Sequence, residues 1–315
     1  MTLRRREFLK IMTTGAAIGL GLDRTPTPAA DTTEEKPIFS FGLIADTQYS
    51  DAAPSMNRYY RESLSKLEAC VKHLNSLRPD FVVQLGDLIN GGFADFDPML
   101  PLFDKFSVPL YHVVGNHDVA VEPENKDKVL ARLGLDKVGA KKGYYDLGRN
   151  GWRLVVLNGT DISIQAHLPG TEQYEAAERL LEDLRAKGAR NGQFWNGAIG
   201  AEQLAWLKRT LAAAAAAGER TVVFCHFPVY PAGMHTLWND THVLEVLEAA
   251  KGVVAYIAGH DHAGGCAAGK GIQHLTVAGM VETRETAYAL VKAYPDRLSV
   301  TGFGREPSRV LSIVT

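Results

Sequence analysis

Five short apolar runs in this chain each end in a polar residue able to hold a cation or a proton. Residues 38–45 lead to Asp46, 81–85 to Gly86-Asp87, 110–114 to Gly115-Asn116-His117-Asp118, 221–224 to Cys225-His226, and 253–257 to Gly259-His260-Asp261-His262. Apolar runs of this length, punctuated by glycine, read as buried strands. Helical spacing separates them at 58–77 (Tyr59, Leu64, Leu67, Val71, Leu74) and at 200–217 (Leu204, Leu207, Leu211), and 99–106 also reads as a helix. Strands alternating with helices predict an α/β fold. In such folds the loops after the strand C-termini open on one crevice. Asp46, Asp87, Asn116, His226, His260 and His262 are therefore expected to meet, although they span more than 200 residues of sequence.

Composition narrows the class. The chain of 315 residues is 46% hydrophobic and 22% charged, which suits a globular protein and not a disordered one. A formal net charge of −2 argues against a binder of nucleic acid polymers, which needs cations for phosphates. Cys70, Cys225 and Cys266 are far apart and odd in number; they read as free thiols, neither a disulfide framework nor a zinc cluster. No internal repeat or clean boundary divides the main domain, taken as 38–315. Residues 159–199, with a charged helix at 172–187 and a Gly/Asn-rich stretch, read as a cap or insertion within it.

The first thirty residues are different. Arg5-Arg6-Glu7-Phe8-Leu9-Lys10 precedes an apolar run from Ile11 to Leu22 and a small-residue exit at Pro28-Ala29-Ala30. This is a signal-peptide pattern, and the run is too short to span a bilayer comfortably. The basic segment resembles the twin-arginine leader. Residues 1–30 are thus expected to engage the twin-arginine (Tat) export machinery, which carries folded proteins, and 31–37 to form a linker. The expected location is periplasmic or extracellular, without stable membrane insertion.

Two aspartates, an asparagine, three histidines and Gln48 make a ligand set of oxygen and nitrogen without thiolate, suited to Mn²⁺, Fe²⁺ or Zn²⁺. A shared aspartate can bridge two ions about 3.5–4 Å apart, an arrangement that serves in-line displacement at phosphorus.

The five motifs, in this order and each after a strand, resemble the calcineurin-like metallophosphoesterase superfamily. At Asp46-Thr47-Gln48-Tyr49, where the superfamily usually has Asp-x-His, the chain is similar to the manganese-dependent ADP-ribose/CDP-alcohol diphosphatases. Tyr144-Tyr145, Phe194-Trp195-Asn196-Gly197-Ala198-Ile199-Gly200, Gly264-Gly265, 271–276 and Val281-Glu282-Thr283 match that family too. The resemblance implies a four-layer α/β/β/α sandwich with two divalent ions, Mn²⁺ favoured and Fe²⁺, Zn²⁺ or Mg²⁺ as alternatives. Asp46, Gln48, Asp87 and His262 would hold one ion; Asp87, Asn116, His226 and His260 the other. His117 would stabilise the transition state or protonate the leaving oxygen, with Asp118 orienting it. By their own chemistry, Phe194, Trp195 and Tyr230 are candidates to stack on a nucleobase and Arg284 to contact a phosphate of the substrate. The implied reaction is attack of a metal-bound hydroxide on the phosphoanhydride of a small nucleoside diphosphate derivative. An exported phosphodiesterase or phosphomonoesterase is the alternative, and a non-catalytic scaffold a minor one. Asn90 stands where purple acid phosphatases carry a tyrosine, so no iron-tyrosinate site is expected. Arg284-Glu285 replaces the Pro-Pro of the closer family, and an export leader is unusual for enzymes of chiefly intracellular substrates.

Overall fold

The parallel strand runs are shared between two mixed sheets of six strands each. A computed structural model describes residues 35–314; the expected leader and most of the linker lie outside them. In chain order the elements are β1 (Phe39–Ile44), α1 (Ser63–Leu77), β2 (Phe81–Gln84), α2 (Phe96–Phe103), β3 (Leu110–His112), α3 (Asn116–Val119), α4 (Val129–Arg132), β4 (Tyr145–Arg149) and β5 (Trp152–Val156). They continue with α5 (Glu172–Ala186), α6 (Ala201–Ala216), β6 (Arg220–Phe224), α7 (Asp240–Ala249), β7 (Val253–Ala258), β8 (Gly265–Gly269), β9 (Ile272–Thr276), β10 (Ala287–Ala293), β11 (Arg297–Gly304) and β12 (Arg309–Ser312).

The first sheet runs β12-β11-β10-β1-β2-β3 and the second β4-β5-β6-β7-β9-β8. Within each, the strands that carry the motifs are mutually parallel: β1 with β2 and β2 with β3, then β5 with β6 and β6 with β7. Their C-terminal ends therefore open on one edge of each sheet. Antiparallel strands complete the outer parts.

Alternation along the strands builds the layers. Phe39, Phe41 and Leu43 of β1 pack with Trp152, Leu154 and Val156 of β5 and Val222 and Phe224 of β6 in one core between the sheets. Phe39 meets Trp152 edge-on at 5.5 Å and Phe41 meets Phe224 edge-on at 5.8 Å, a geometry aromatic quadrupoles favour. On the outer side of the second sheet, Val155, Val223 and Tyr256 pack against Leu207 and Leu211 of α6 and Val243 and Leu247 of α7. Leu67, Cys70 and Leu74 of α1 cover the outer side of the first. Helix, sheet, sheet and helix form the four-layer α/β sandwich. Ala177, Leu181 and Ala198 of residues 159–199 form a small cluster with Trp238. Cys70, Cys225 and Cys266 are unpaired thiols. No helix among the described residues is long and apolar enough to cross a membrane.

Candidate metal centre

The turns after β1, β2, β6 and β7 bring their polar residues together around Asp87. Its Oδ2 accepts from Gln48 Nε2 at 3.0 Å and lies 3.3 Å from His226 Nε2. His226 Nε2 lies 3.1 Å from both Asn116 Oδ1 and His260 Nδ1. On the other side of Asp87, His262 Nε2 is 3.2 Å from the Gln48 amide and 3.4 Å from Asp46 Oδ1. The expected ligands Asp46, Gln48, Asp87, Asn116, His226, His260 and His262 thus form one cluster, six of them buried and the His262 side chain 10% exposed.

The backbone is bent to do this. Asp46, Gln48, Asp87 and His260 have φ of 52°, 39°, 58° and 66°, left-handed values that cost side-chain-bearing residues about 1–3 kcal/mol each. Turn-to-turn hydrogen bonds hold them: Asp46 N donates to Gly86 O at 3.1 Å, Gln48 N to Asp87 O at 2.9 Å, and His260 N to the Asp46 carboxylate at 3.1 Å. The motif glycines make room. A Cβ on Gly115 would sit 2.1 Å from Asp87 Oδ1, and one on Gly259 2.8 Å from Asp46 Oδ2.

The donor set fits a cation, and tautomers show why. His226 Nδ1 donates to Leu85 O at 2.8 Å, which leaves a lone pair on Nε2 of the neutral ring. His260 Nε2 donates to Asn196 Oδ1 at 2.8 Å; the Asn196 amide is oriented because its Nδ2 donates to Asn191 O and Met234 O at 2.9 and 2.8 Å. His262 Nδ1 donates to Glu282 Oε1 at 2.8 Å. Each neutral ring therefore turns an acceptor inward: His226 toward Asp87 and the Asn116 amide oxygen, His260 toward His226, and His262 toward Asp46. Acceptors crowded at such distances repel unless a cation or proton lies among them. Asn116 Nδ2 and Gln48 Oε1 are buried without a partner. A half-turn of the Gln48 amide presents that oxygen, as a ligand requires.

Protons take the cation's place when it is absent. Burial disfavours the charged ring of His226, but the Asp87 and Asp46 carboxylates outweigh it and push its pKa up to about 9. Burial likewise opposes, and Asp46 and Glu282 overcome, a rise to about 9 at His262. His260, buried beside His226, is held well below its ordinary value. Burial opposes ionisation of Asp87, yet the His226 and His117 rings hold it well below the usual carboxylate range. Cations must displace the protons on His226 and His262. We expect metal binding at pH 7 to release about two protons from these two rings, with affinity falling as the pH drops further below 9. Calorimetric titration in buffers of different ionisation enthalpy measures that release.

His117 stands at the start of α3. Its backbone N–H donates to Asp87 Oδ1 at 2.8 Å and its Nδ1 lies 3.4 Å from Asn90 O, so Nε2 is left for a ligand. Asp118 does not orient that ring. Its carboxylate accepts from the N–H groups of Asp87, Leu88 and Gly115 at 2.9, 2.7 and 2.9 Å, tying the β2 turn to the β3 turn. Burial, then the charge of Asp87, push its pKa up to about 7. Sequence order placed it beside His117; helical geometry turns adjacent side chains about 100° apart.

Of the expected substrate contacts, Phe194 is exposed and edge-on to Trp195 at 5.2 Å, directly before Asn196. Tyr230 packs on His274 at 5.0 Å and lines a cavity of about 460 Å³ with Arg190, His235 and Asp261. Arg284 is exposed over the Tyr59 ring at 5.7 Å. Three features escaped the sequence: Asn196 and Glu282 as partners of ligand histidines, and His235, whose ring meets His260 edge-on at 5.5 Å. Asn196 and Glu282 lie within runs noted for their resemblance, but nothing in those runs signals pairing with a distant histidine.

A four-layer sandwich with a dinuclear ligand set at its strand tips defines a metal-dependent phosphoester hydrolase. The profile of calcineurin-like phosphoesterases matches residues 39–264, and the chain belongs to that family. A manganese-dependent ADP-ribose/CDP-alcohol diphosphatase of Xenopus tropicalis is 32% identical over 88% of this chain and 95% of its own. The protein of that name from Oryza sativa subsp. japonica is 30% identical over 85% and 92%. The crystal structure of a dimetal phosphatase from Danio rerio superposes with a TM-score of 0.81 at 30% identity, covering 89% of this chain and all of the other.

Proposed function

We propose that this protein hydrolyses the phosphoanhydride bond of small nucleoside diphosphate derivatives, of the ADP-ribose or CDP-alcohol type, with two Mn²⁺ ions. The observation that carries the reaction class is Asp87, set between Gln48 and His262 on one side and His226, His260 and Asn116 on the other. The activity for which the relatives are named supports the substrate class and the metal. Two divalent ions held there would supply Lewis acidity toward the phosphoryl group. The chain's own residues do the rest. Asp46, Gln48, Asp87 and His262 would hold one ion, and Asp87, Asn116, His226 and His260 the other. His117 Nε2 donates to the phosphoryl or leaving oxygen. Phe194, Trp195 and Tyr230 offer faces for a base, and Arg284 a cation for the second phosphate.

The test is turnover of ADP-ribose, CDP-choline, cyclic AMP and p-nitrophenyl phosphate by metal-stripped protein reloaded with Mn²⁺, Mg²⁺ or Zn²⁺. Cleavage of the diphosphates with Mn²⁺, faster than of the other two, is the expected result. Preference for the monoester or the cyclic nucleotide would overturn the substrate assignment and keep the reaction class. The Arg5-Arg6-Glu7-Phe8-Leu9-Lys10 segment supports export of the folded, metal-loaded protein through the Tat machinery to the periplasm or beyond. Replacing both arginines by lysine would then leave the protein inside the cell on fractionation.

A further inference from the structure

The two halves of the centre differ in what stands behind their histidines. His226 and His260 donate to neutral groups, the Leu85 carbonyl and the Asn196 amide. His262 alone donates to a carboxylate, Glu282 Oε1, at 2.8 Å. The Asp46 half therefore has one carboxylate of its own and one behind its histidine, while the Asn116 half has only its share of Asp87. A carboxylate behind a ligand imidazole raises its basicity and fixes its tautomer, and ligand charge raises affinity for a hard cation.

Glu282 is held in register with Asp46. Lys66 Nζ on α1 donates to Met280 O, Val281 O and Thr283 O at 2.6, 3.3 and 2.9 Å. Met280 N and Val281 N donate to Ala45 O and Asp46 O, both at 2.9 Å. The nearest cation competes for the carboxylate: Arg58 Nε lies 3.7 Å from the same Glu282 oxygen, with the charges of Arg305 and Lys66 farther off. The phosphoesterase profile ends at residue 264, before this loop.

We propose that Glu282 is a positioning residue that makes the Asp46-Gln48-Asp87-His262 position the tighter of the two metal positions. The proposal rests on the two-ion reading of the centre. Its test is Mn²⁺ titration of metal-stripped protein without substrate, by calorimetry and by electron paramagnetic resonance of free Mn²⁺. Wild-type protein is expected to show two binding events of unequal affinity. Glu282→Gln keeps the shape and removes the charge. It is expected to weaken the tighter event about 10–100-fold and leave the looser one in place. Arg58→Gln should act in the opposite direction and tighten the same event several-fold, which a merely structural role would not produce. Two equal events in the wild type, a Glu282→Gln protein with unchanged affinities, or equal weakening of both events would overturn the proposal. Fewer than two ions bound by the wild type would instead overturn the two-ion reading. Should Glu282→Gln fail to fold, Arg58→Gln decides: unchanged or weaker binding overturns the proposal.

Discussion

Asp87→Asn is expected to lose at least about 10³-fold in kcat while the protein stays folded, because the shared carboxylate contributes several kcal/mol of charge stabilisation through the ions. The substitution is nearly isosteric. The asparagine Oδ1 still accepts from His117 N, the 2.8 Å bond that fixes the start of α3. The Gln48 amide, which donates to Asp87 Oδ2 at 3.0 Å, meets a new N–H there and turns its unpartnered oxygen inward. The charge that holds His226 protonated in the metal-free protein is gone, so that ring's pKa falls from about 9. The effect therefore appears as lost metal and lost turnover without a loss of fold. Metal content, far-UV circular dichroism and turnover on one preparation separate these. A folded variant that keeps wild-type turnover would sink the dinuclear mechanism.

The second large effect isolates chemistry from metal binding. His117→Ala is expected to lower kcat about 10²–10⁴-fold, the range for a positioned proton donor, while binding Mn²⁺ as the wild type does. The reason is geometric. The hydrogen bond of His117 to the centre is made by its backbone N–H on Asp87, which alanine keeps, whereas the ring hydrogen-bonds only the Asn90 carbonyl and acts on Asp87 through space. Loss of both metal affinity and turnover would show instead that the ring supports the ligands. Asp118 offers the contrast. Its carboxylate braces three backbone N–H groups, so replacing it would disturb the ligand turns themselves and not only the rate.

The strand runs and the ligands at their tips were legible because a buried strand needs an unbroken apolar stretch, and a polar residue beside it must have a reason to be there. Local elements were less legible where tertiary contacts set them. The apolar spacing from Tyr59 onward extends the helical reading, yet α1 begins at Ser63. Tyr59 N donates to Val281 O, and Thr283 N to Asn57 O, so residues 57–59 serve the Glu282 loop instead of a helix. β8 is Gly-Cys-Ala-Ala-Gly, without a β-former, and exists because β9 pairs with it antiparallel. β10 carries three alanines, which blunt its pattern, and becomes a strand between β1 and β11.

Periodicity and side-chain chemistry are properties of the chain, and they carried the α/β class, the ligand types and the order in which they arrive. Which nitrogen of each histidine faces the centre, and what stands behind it, depends on the packed fold. Asn196 and Glu282 set those tautomers from 64 and 20 residues away, and a hydrogen bond across such a span leaves no periodic trace, because it depends on how the sheets and loops pack and not on what lies beside it in the chain.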